Sequence, residues 1–401
     1  MSSLTEFFNI QPSENIKGIT HKNNIIKRNI IAYMAVNGEC TLSELTKELH
    51  ISVPTITKLV QELIDENIVN DLGKVETPGG RRPNVFGLAN TAIYFAGINV
   101  GRDHMTYVVT DLQNNVISEK TDNTFELVDR PQCLERICQN VEAFVANCGV
   151  DREKILGVGV SMVGRVNPET GRSYKYFTSS EESLTDIISS RIGIRVMLEN
   201  DTRARCYAEY TTGKSKNESN VLYLHMGRGV AIGIVIDGKL YYGKNGFAGE
   251  FGHIPFFDNE IICGCGKKGC LEQYTSATGI VRSANIAISN TDKPSSLREV
   301  QYISAKEVFD AAKKGDELAA QLVENHGKCL GKALAQIACV VDPEVFVIGG
   351  GVSKAGEIIT DTTEKYFQEY AFHACKKTQF KLATLGNDAG MYGGACAVLN
   401  K

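Results

Sequence analysis

Two neighbouring segments decide how this sequence is interpreted: Gly249-Glu-Phe-Gly-His253 and Cys263-Gly-Cys-Gly-Lys-Lys-Gly-Cys-Leu-Glu272. One histidine and three cysteines fall within eighteen residues here, and tetrahedral zinc sites use four such nitrogen and sulfur ligands. The glycines between them let the backbone turn closely around a small ion. Four protein ligands leave no open position for water, so we predict a structural zinc site in a loop of about residues 253–270. The predicted ligands are His253, Cys263, Cys265 and Cys270. The alternative is a set of free cysteines in a glycine-rich loop.

Outward from this loop, strands alternate with helices between residues 92 and 401. The apolar pattern predicts a three-stranded meander, then a helix and a buried strand, and after that a second round of the same order. The predicted strands are 93–100, 105–112, 116–120, 156–160, 195–198, 221–225, 230–236, 239–242 and 345–348. The predicted helices are 132–147, one from about residue 202, 271–288 and 304–341. Two successive rounds favour a duplicated α/β architecture with a cleft between two lobes.

The first ninety residues have a different pattern, which predicts a winged helix-turn-helix domain over 17–90 after a loose tail at 1–16. Apolar spacing and capping signals predict three helices, and two short strands flank a hairpin that contains glycine and arginine. These signals are an apolar stripe over 22–36, a capping box from Thr41 to Glu44, a third helix capped by Ser52 with Pro54 in its first turn, and strands at 68–69 and 85–88. The remaining residues, 91–401, form the second predicted domain.

Composition limits the classes to which the protein can belong. The sequence has no apolar run of about 18 residues, the length that a membrane-spanning helix needs. Its first twenty residues lack the apolar core of a secretory signal. We therefore expect a cytoplasmic protein with no membrane partner, whose twelve cysteines stay mostly reduced. A formal net charge of -4 excludes a uniformly basic nucleic-acid-binding protein.

The motifs together resemble those of a known family. The segment Gly249–Glu272 resembles the signature of the ROK family of sugar kinases and repressors, and the resemblance covers roughly residues 92–401. Three further motifs resemble that family: the glycine turn at 157–171, Glu199-Asn-Asp201 and Val347-Ile-Gly-Gly-Gly351. The resemblance implies an α/β, actin-like (ribonuclease-H-like) two-lobe ATPase fold. A winged helix-turn-helix before this domain is the arrangement of the family's transcriptional-repressor branch.

The resemblance also implies a sugar-binding role for Asn200, Asp201, Glu250, His253 and Glu272. Carboxylates and an amide can pair with adjacent sugar hydroxyls, which are costly to leave unpaired in a closed cleft. One imidazole can place one nitrogen on zinc and the other on a hydroxyl, so that the metal would keep the sugar-binding loop in shape. Without the surrounding pattern, Asn200 and Asp201 equally fit a helix N-cap.

In the kinases of this family, the position of Asp201 is that of the general base, which takes the proton of the attacking hydroxyl. Phosphoryl transfer depends on turns that position and neutralise the phosphates. Where the kinases have Asp-x-Gly-Gly-Thr, this sequence has Asn99-Val-Gly-Arg-Asp103. Where they have Gly-Thr-Gly-x-Gly-Gly, it has Met226-Gly-Arg-Gly-Val-Ala231. Both turns are degraded, so we expect no enzymatic activity, a vestigial Asp201, and a Gly349–Gly351 turn that serves only the fold. The alternative is an active ATP-dependent sugar kinase.

In a helix-turn-helix, the N-terminal part of the second helix of the motif meets base edges in the major groove. Adjacent arginines in a wing can enter a narrow minor groove. The candidate residues are Ser52, Pro54, Thr55 and Lys58 for the major groove, and Arg81 and Arg82 for the minor groove. Lys22, Lys27 and Arg28 could reach phosphates. Residues 17–82 contain nine Lys and Arg against eight Asp and Glu. Because this basic excess is small, a protein-docking module with a solvated hairpin tip stays open as an alternative.

These features together predict a sugar-responsive, DNA-binding transcription regulator of carbohydrate metabolism genes, of the repressor type. Its partners would be double-stranded operator DNA and a sugar or sugar phosphate effector bound in the cleft between the lobes. The DNA-binding module is small, so we expect a homodimer or homotetramer that binds two half-sites. Structural zinc is the one cofactor that the sequence predicts.

Overall fold

The computed structural model describes residues 19–74, 83–89, 93–213, 215 and 218–386. Contacts divide these residues into two compact units: the first holds those up to 162 and residues 168–199, and the second holds residues 163–167 and those from 200 to 386. The predicted tail at 1–16 and the wing residues Arg81 and Arg82 lie outside the described residues. In the part of the chain that is described, none of the helices has the length and apolar character to cross a membrane.

The N-terminal part of the first unit contains three helices and a small antiparallel sheet. The helices are α1 (Ile19–Asn37), α2 (Leu42–Leu49) and α3 (Val53–Asp65). The strands are β1 (Cys40–Thr41), β2 (Val69–Lys74) and β3 (Asn84–Leu88), in the order β1-β3-β2. Both α1 and α2 contact α3, whose apolar stripe is buried. The three predicted helices are therefore present, whereas β1 was not predicted, because two residues are too few to show a strand period.

Two N-caps decide where α2 and α3 begin. Thr41 and Glu44 form the predicted capping box, in which Thr41 N donates to Glu44 Oε2 at 2.7 Å and Glu44 N donates to Thr41 Oγ1 at 3.2 Å. Ser52 occupies the N-cap position of α3, but its side chain makes no capping hydrogen bond. Its hydroxyl lies 2.9 Å from the Thr55 hydroxyl instead. The predicted side-chain cap at Ser52 is wrong, because a neighbouring hydroxyl takes the place of the backbone N–H.

The rest of the first unit is built on a five-stranded sheet in the order β10-β7-β4-β5-β6. Its strands are β4 (Tyr94–Val100), β5 (Met105–Asp111), β6 (Val116–Asp122), β7 (Ile155–Met162) and β10 (Val196–Asn200). The two-residue strand β9 (Arg172–Ser173) and the helices α4 (Pro131–Asn147) and α5 (Leu184–Ile192) complete this region of the chain, whereas the equally short strand β8 (Val166–Asn167) belongs to the second unit. The first three strands form the predicted antiparallel meander, and β4 pairs with β7 in parallel.

The second unit repeats this arrangement in a sheet of order β13-β12-β11-β14-β15. Its strands are β11 (Val221–Met226), β12 (Val230–Ile236), β13 (Lys239–Leu240), β14 (Val345–Gly349) and β15 (Gln379–Leu382). Its helices are α6 (Asp201–Thr212), α7 (Glu272–Thr275), α8 (Ala277–Asn290), α9 (Ala305–Lys313), α10 (Glu317–Val341) and α11 (Glu357–Tyr370). Again three antiparallel strands are followed by a parallel one, since β11 pairs with β14 in parallel. The predicted duplicated α/β architecture is confirmed.

The single helix predicted over 304–341 is wrong, because the chain leaves the helix between α9 and α10. Gly315 has a φ of +87°, in the left-handed region. Asp316 then begins α10 by accepting a hydrogen bond from Ala319 N at 3.0 Å. The predicted helix over 271–288 divides in the same way at Ser276, whose hydroxyl accepts from Gly279 N at 3.0 Å. Apolar spacing continues across both breaks, so periodicity alone does not show them.

Lys27, which was predicted to reach a DNA phosphate, is buried between α1 and α3. Its side chain is 6% exposed, and Nζ lies 2.9 Å from Glu62 Oε2 and 2.8 Å from Glu66 Oε1. Burial by itself would lower the pKa of Lys27, but the bonds to Glu66 and Glu62 outweigh burial and raise it. The phosphate prediction is therefore wrong for Lys27, since its charge already joins two helices of the domain.

We expect Lys27→Met to lower the free energy of local opening of α1 by about 1–3 kcal/mol, because two carboxylates lose a charged hydrogen-bond partner. Lys22→Met is the matched control: Lys22 is exposed on the same helix, and a surface change of this kind shifts stability by about 0.5 kcal/mol or less. Hydrogen exchange of the α1 amides in the full chain measures both effects locally. Equal protection in the two variants would contradict the structural role of Lys27.

Candidate functional site

The structure brings the four predicted metal ligands together in the second unit. The donor atoms of His253, Cys263, Cys265 and Cys270 all lie within 4.8 Å of one another. Cys263 Sγ is 3.5 Å from His253 Nδ1, and Cys265 Sγ is 3.6 Å from Cys270 Sγ. Zinc–sulfur and zinc–nitrogen bonds of about 2.3 and 2.0 Å place tetrahedral ligand atoms roughly 3.5–3.8 Å apart. The four donor atoms and the distances between them therefore fit an ion of the size of zinc.

Backbone hydrogen bonds shape the loop around these donors. Cys263 N donates to Lys267 O at 2.7 Å, and Gly266 N donates to Cys263 O at 2.9 Å, so the first two cysteines lie on a tight turn. Phe256 N donates to Gly269 O at 2.9 Å and brings the third cysteine back toward His253. Gly269 has a φ of +72°, and an added Cβ would overlap the Phe257 carbonyl oxygen. The loop consequently requires glycine at this position for two independent reasons.

The histidine connects the metal ligands with the predicted sugar-binding carboxylates. His253 Nδ1 faces the cysteines and lies 3.6 Å from Glu272 Oε1, whereas Nε2 points the other way and lies 3.7 Å from Glu250 Oε2. Glu272 Oε1 also accepts a hydrogen bond from Cys263 Sγ at 3.0 Å. One imidazole thus has one nitrogen facing the cysteines and the other beside a carboxylate, and the predicted contact of the second nitrogen with a sugar hydroxyl stays a prediction.

Glu250 and Asp201 belong to one charged group in the second unit. Burial raises the pKa of Glu250, and the nearby Asp201 carboxylate adds to this effect. His253, Arg165 and Arg203 act in the opposite direction without cancelling it. Two carboxylates that are partly protected from water, beside cationic groups, can accept hydrogen bonds from adjacent hydroxyls of one small ligand.

Asn200 has the structural role that the sequence offered as an alternative, because it is the N-cap of α6. Its Oδ1 accepts from Thr202 N and Arg203 N at 3.0 and 3.1 Å. Its Nδ2 donates to Gly164 O at 2.9 Å and to Asp201 Oδ1 at 3.1 Å. Both amide hydrogens have protein partners, so a contact from Asn200 to a sugar stays a prediction. What the geometry does show is that Asn200 positions Asp201.

Arg203 is a site-forming residue that the sequence did not reveal. It is buried on the first turn of α6, where Nη1 donates to Gly246 O at 2.7 Å and Nη2 donates to Val166 O at 3.3 Å. These bonds join two distant loops to the helix that begins with Asp201, and one of those loops leads into Glu250. A buried arginine with backbone partners has no sequence signature of its own, because its acceptors lie 37 and 43 positions away.

The turn that follows β11, which was predicted to be degraded, is bound to the start of α8 by short contacts. Ala277 N donates to Gly227 O at 2.8 Å, and Thr278 Oγ1 donates to Arg228 O at 3.2 Å. A Cβ added at Gly229 would lie 2.9 Å from Glu272 Oε2. In the first unit, the Asn99 side chain at the other degraded turn accepts a hydrogen bond from the buried Ser161 hydroxyl at 3.0 Å. Both turns thus form hydrogen bonds within the protein itself.

The predicted DNA-contacting residues within the described part lie at the start of α3. Ser52, Pro54 and Lys58 are exposed, whereas Thr55 is half-buried against Ser52. Thr57 and Gln61 are exposed as well and were not predicted; they lie one and two turns into α3, off its buried stripe. A helical wheel finds them once the bounds of α3 are known.

Comparisons with known proteins agree with both parts of the chain. A model of the ROK family matches residues 95–401, and a model of winged helix-turn-helix DNA-binding domains matches residues 23–70. The chain is 35% identical over 256 residues to a glucokinase of Halalkalibacterium halodurans, which covers 62% of this chain and 77% of that protein. It is 26% identical over 336 residues to the xylose repressor of Caldicellulosiruptor bescii, with 83% and 84% covered.

A solved structure of a ROK family transcriptional regulator, a homologue of the E. coli MLC protein, superposes on this one with a TM-score of 0.83. The two chains are 26% identical, and the match covers 94% of this chain and 97% of the other. The predicted family resemblance and the predicted fold class are therefore confirmed, including the N-terminal winged helix-turn-helix.

We expect Gly269→Ala to lower the stability of the second unit by at least about 1 kcal/mol, because the new side chain is incompatible with a positive φ. It should also lower the amount of metal that the purified chain retains, since the loop can no longer close. Gly264→Ala is the control: it lies in the same loop, and an added Cβ there meets nothing within 4 Å. Thermal unfolding and elemental analysis measure the two effects. Normal metal content in Gly269→Ala would show that the loop tolerates the change.

Proposed function

This chain belongs to the ROK family, and we propose that it is a sugar-responsive transcriptional repressor that binds operator DNA through its winged helix-turn-helix. The observation that carries the proposal is the combination in one chain of a ROK region at 95–401 with a winged helix-turn-helix at 23–70. The xylose repressor of Caldicellulosiruptor bescii matches 83% of the chain. We infer that the regulated genes serve carbohydrate metabolism and that the protein functions in the cytoplasm.

The proposed sugar site is the group of carboxylates around His253. Asp201 and Glu250 would accept hydrogen bonds from adjacent hydroxyls, and His253 Nε2 and Glu272 would bind the neighbouring ones. Asn200 would act mainly by fixing Asp201 at the start of α6. Unpaired hydroxyls in such a site are costly, so a ligand of matching stereochemistry gains affinity from several bonds at once.

We propose that His253, Cys263, Cys265 and Cys270 hold a structural zinc ion. Zinc at these four donors would supply a rigid crosslink and no reactive position, because no ligand site stays open to water. His253 would then present Nε2 to the sugar in a fixed orientation. Zinc would in this way stabilise the sugar-binding loop without taking part in chemistry.

The DNA contacts would come from the exposed start of α3 and from the wing. We propose that α3 lies in the major groove and that the wing arginines enter the minor groove. The proposed residues are Ser52, Pro54, Thr55, Thr57, Lys58 and Gln61 on α3, and Arg81 and Arg82 in the wing. A homodimer or homotetramer would present two such domains to two half-sites. A sugar alters operator affinity only if it binds two conformations of this assembly unequally.

Sugar phosphorylation is the second candidate, because the chain is 35% identical to a glucokinase over 256 residues and retains Asp201. Against it stand Asn99, whose amide is bonded to Ser161, and the arginine in the turn after β11. We therefore propose that the chain binds sugar without transferring a phosphoryl group. Activity that requires ATP and Asp201 would favour the second candidate.

We expect upstream DNA to bind the full chain at a nanomolar to micromolar Kd, and one sugar or sugar phosphate to change that Kd by at least about fivefold, a typical allosteric coupling. Fluorescence anisotropy with and without a panel of monosaccharides and their phosphates measures this. Asp201→Asn should abolish the sugar response and leave DNA binding intact. Absence of sequence-selective binding under every condition would end the proposal, and hexose phosphorylation above the Asp201→Asn level would establish the kinase.

The double substitution Arg81→Ala with Arg82→Ala should weaken operator binding by about 1–3 kcal/mol for each minor-groove contact that is lost. The control is Lys376→Ala with Lys377→Ala, which removes the same charge from exposed positions in the second unit. Anisotropy at fixed ionic strength compares them, because salt alone changes such affinities strongly. Unchanged DNA affinity in the arginine variant would favour a protein-docking role for the winged domain.

A further inference from the structure

Two glycine-rich turns meet at one edge of the second sheet. Strands β11 and β14 are adjacent and parallel, and their register pairs His225 with Gly349. Each strand therefore ends beside the other, β11 in the turn at 227–229 and β14 in the turn at 349–351. The crevice outside the carboxyl ends of parallel strands is where α/β proteins bind nucleotides and other phosphate-containing ligands.

In this chain the imidazole of His225 lies between the two turns. A Cβ added at Gly227 would be 2.9 Å from His225 Nε2, and a Cβ added at Gly350 would be 2.9 Å from His225 Cε1. The ring thus lies in the space that a side chain at either Gly227 or Gly350 would need. A side chain of the protein therefore lies close to both turns.

The glycines themselves are required by internal contacts. A Cβ at Gly349 would overlap the Tyr223 hydroxyl, and Gly350 has a φ of +86° with its missing Cβ 2.5 Å from Met226 O. Tyr223 and His225 are two positions apart on β11 and so point to the same side of the sheet. These contacts explain the glycines of the second turn without any bound phosphate. Gly351 alone has nothing within 4 Å of an added Cβ.

The electrostatics of the ring also disfavour an anion. Burial lowers the pKa of His225 to about 3, and the nearby Arg205 contributes to the shift, so the imidazole is neutral at physiological pH. Its Nδ1 is fully buried and has no hydrogen-bond partner. A neutral ring offers a phosphate no charge at this position.

We propose that His225 closes the crevice between the turns at 227–229 and 349–351 and thereby excludes nucleotides from this chain. The inference goes beyond the proposed regulator, because it identifies one side chain as the element that separates sugar binding from nucleotide binding. Nucleotides are abundant in cells, and a regulator that cannot bind them reports the concentration of its sugar alone.

The test is binding of the magnesium complex of AMPPNP to the full chain, measured by equilibrium dialysis and thermal shift. Wild-type protein should show no binding at millimolar ligand. His225→Thr and His225→Gly should bind it with a Kd at least tenfold below the highest AMPPNP concentration at which the wild type shows no binding. His225→Gln, which keeps a side chain of similar length in the crevice, should stay without binding. Arg228→Thr is the matched control, because it restores a small residue in the turn but leaves the ring in place, and it should not bind either.

Three results would overturn the proposal: saturable AMPPNP binding by the wild type, a gain of binding in Arg228→Thr but not in the His225 variants, or no gain in a His225→Gly variant with normal metal content and circular dichroism. If both enlarging variants fail to fold, His225→Ala takes their place with the same expected gain of binding, and hydrogen exchange of residues 221–229 in the wild type should be unaffected by AMPPNP. DNA and sugar binding are measured separately, so failure here leaves the proposed regulator intact.

Discussion

The second unit depends on the close approach of two glycines to one strand of its sheet. A Cβ at Gly249 would overlap the carbonyl oxygen of Ile232, and a Cβ at Gly252 would overlap that of Val230. Both oxygens belong to β12, so the segment that carries Glu250 and His253 lies directly on the sheet, with Ile232 N donating to Gly249 O at 2.9 Å. This contact fixes the backbone that carries the histidine, and the histidine lies between the cysteines and the carboxylates. A side chain at either glycine would move the metal donors and the proposed sugar site together.

Asp201 is held in place by the contacts of the first turn of α6. Asn200 caps this helix and bonds to Gly164 O, while Arg203 bonds to Gly246 O and Val166 O. Three parts of the chain that are far apart in sequence thus meet at one helix N-terminus. Charge is distributed so that the carboxylates near His253 are balanced by buried or nearby arginines, which keeps a cluster of acids compatible with a folded core.

A sugar-binding unit can serve a kinase or a regulator, and the difference lies in what surrounds the phosphate turns. In this chain, Asn99 is bonded to Ser161, the turn after β11 is bonded to Ala277 and Thr278, and His225 lies against Gly227 and Gly350. Both turns thus have contacts within the protein itself. Glutamate, aspartate and histidine around the proposed sugar site are meanwhile retained. These contacts support the proposal that the chain binds a sugar without transferring a phosphoryl group.

The sequence by itself determined the metal donors, the carboxylates beside them, the capping box at Thr41 and most strands, because these features depend on local spacing and on the apolar period. Only the tertiary structure decided the roles of Lys27, Asn200, Arg203 and His225. Lys27 looks like a surface cation until Glu66, 39 positions away, is found 2.8 Å from it. Asn200 fitted a ligand contact or a helix cap, and its backbone partners show that it caps α6, while the ligand contact stays a prediction. His225 has no motif at all, since its importance comes from two glycines that the parallel pairing of β11 and β14 brings to either side of one ring.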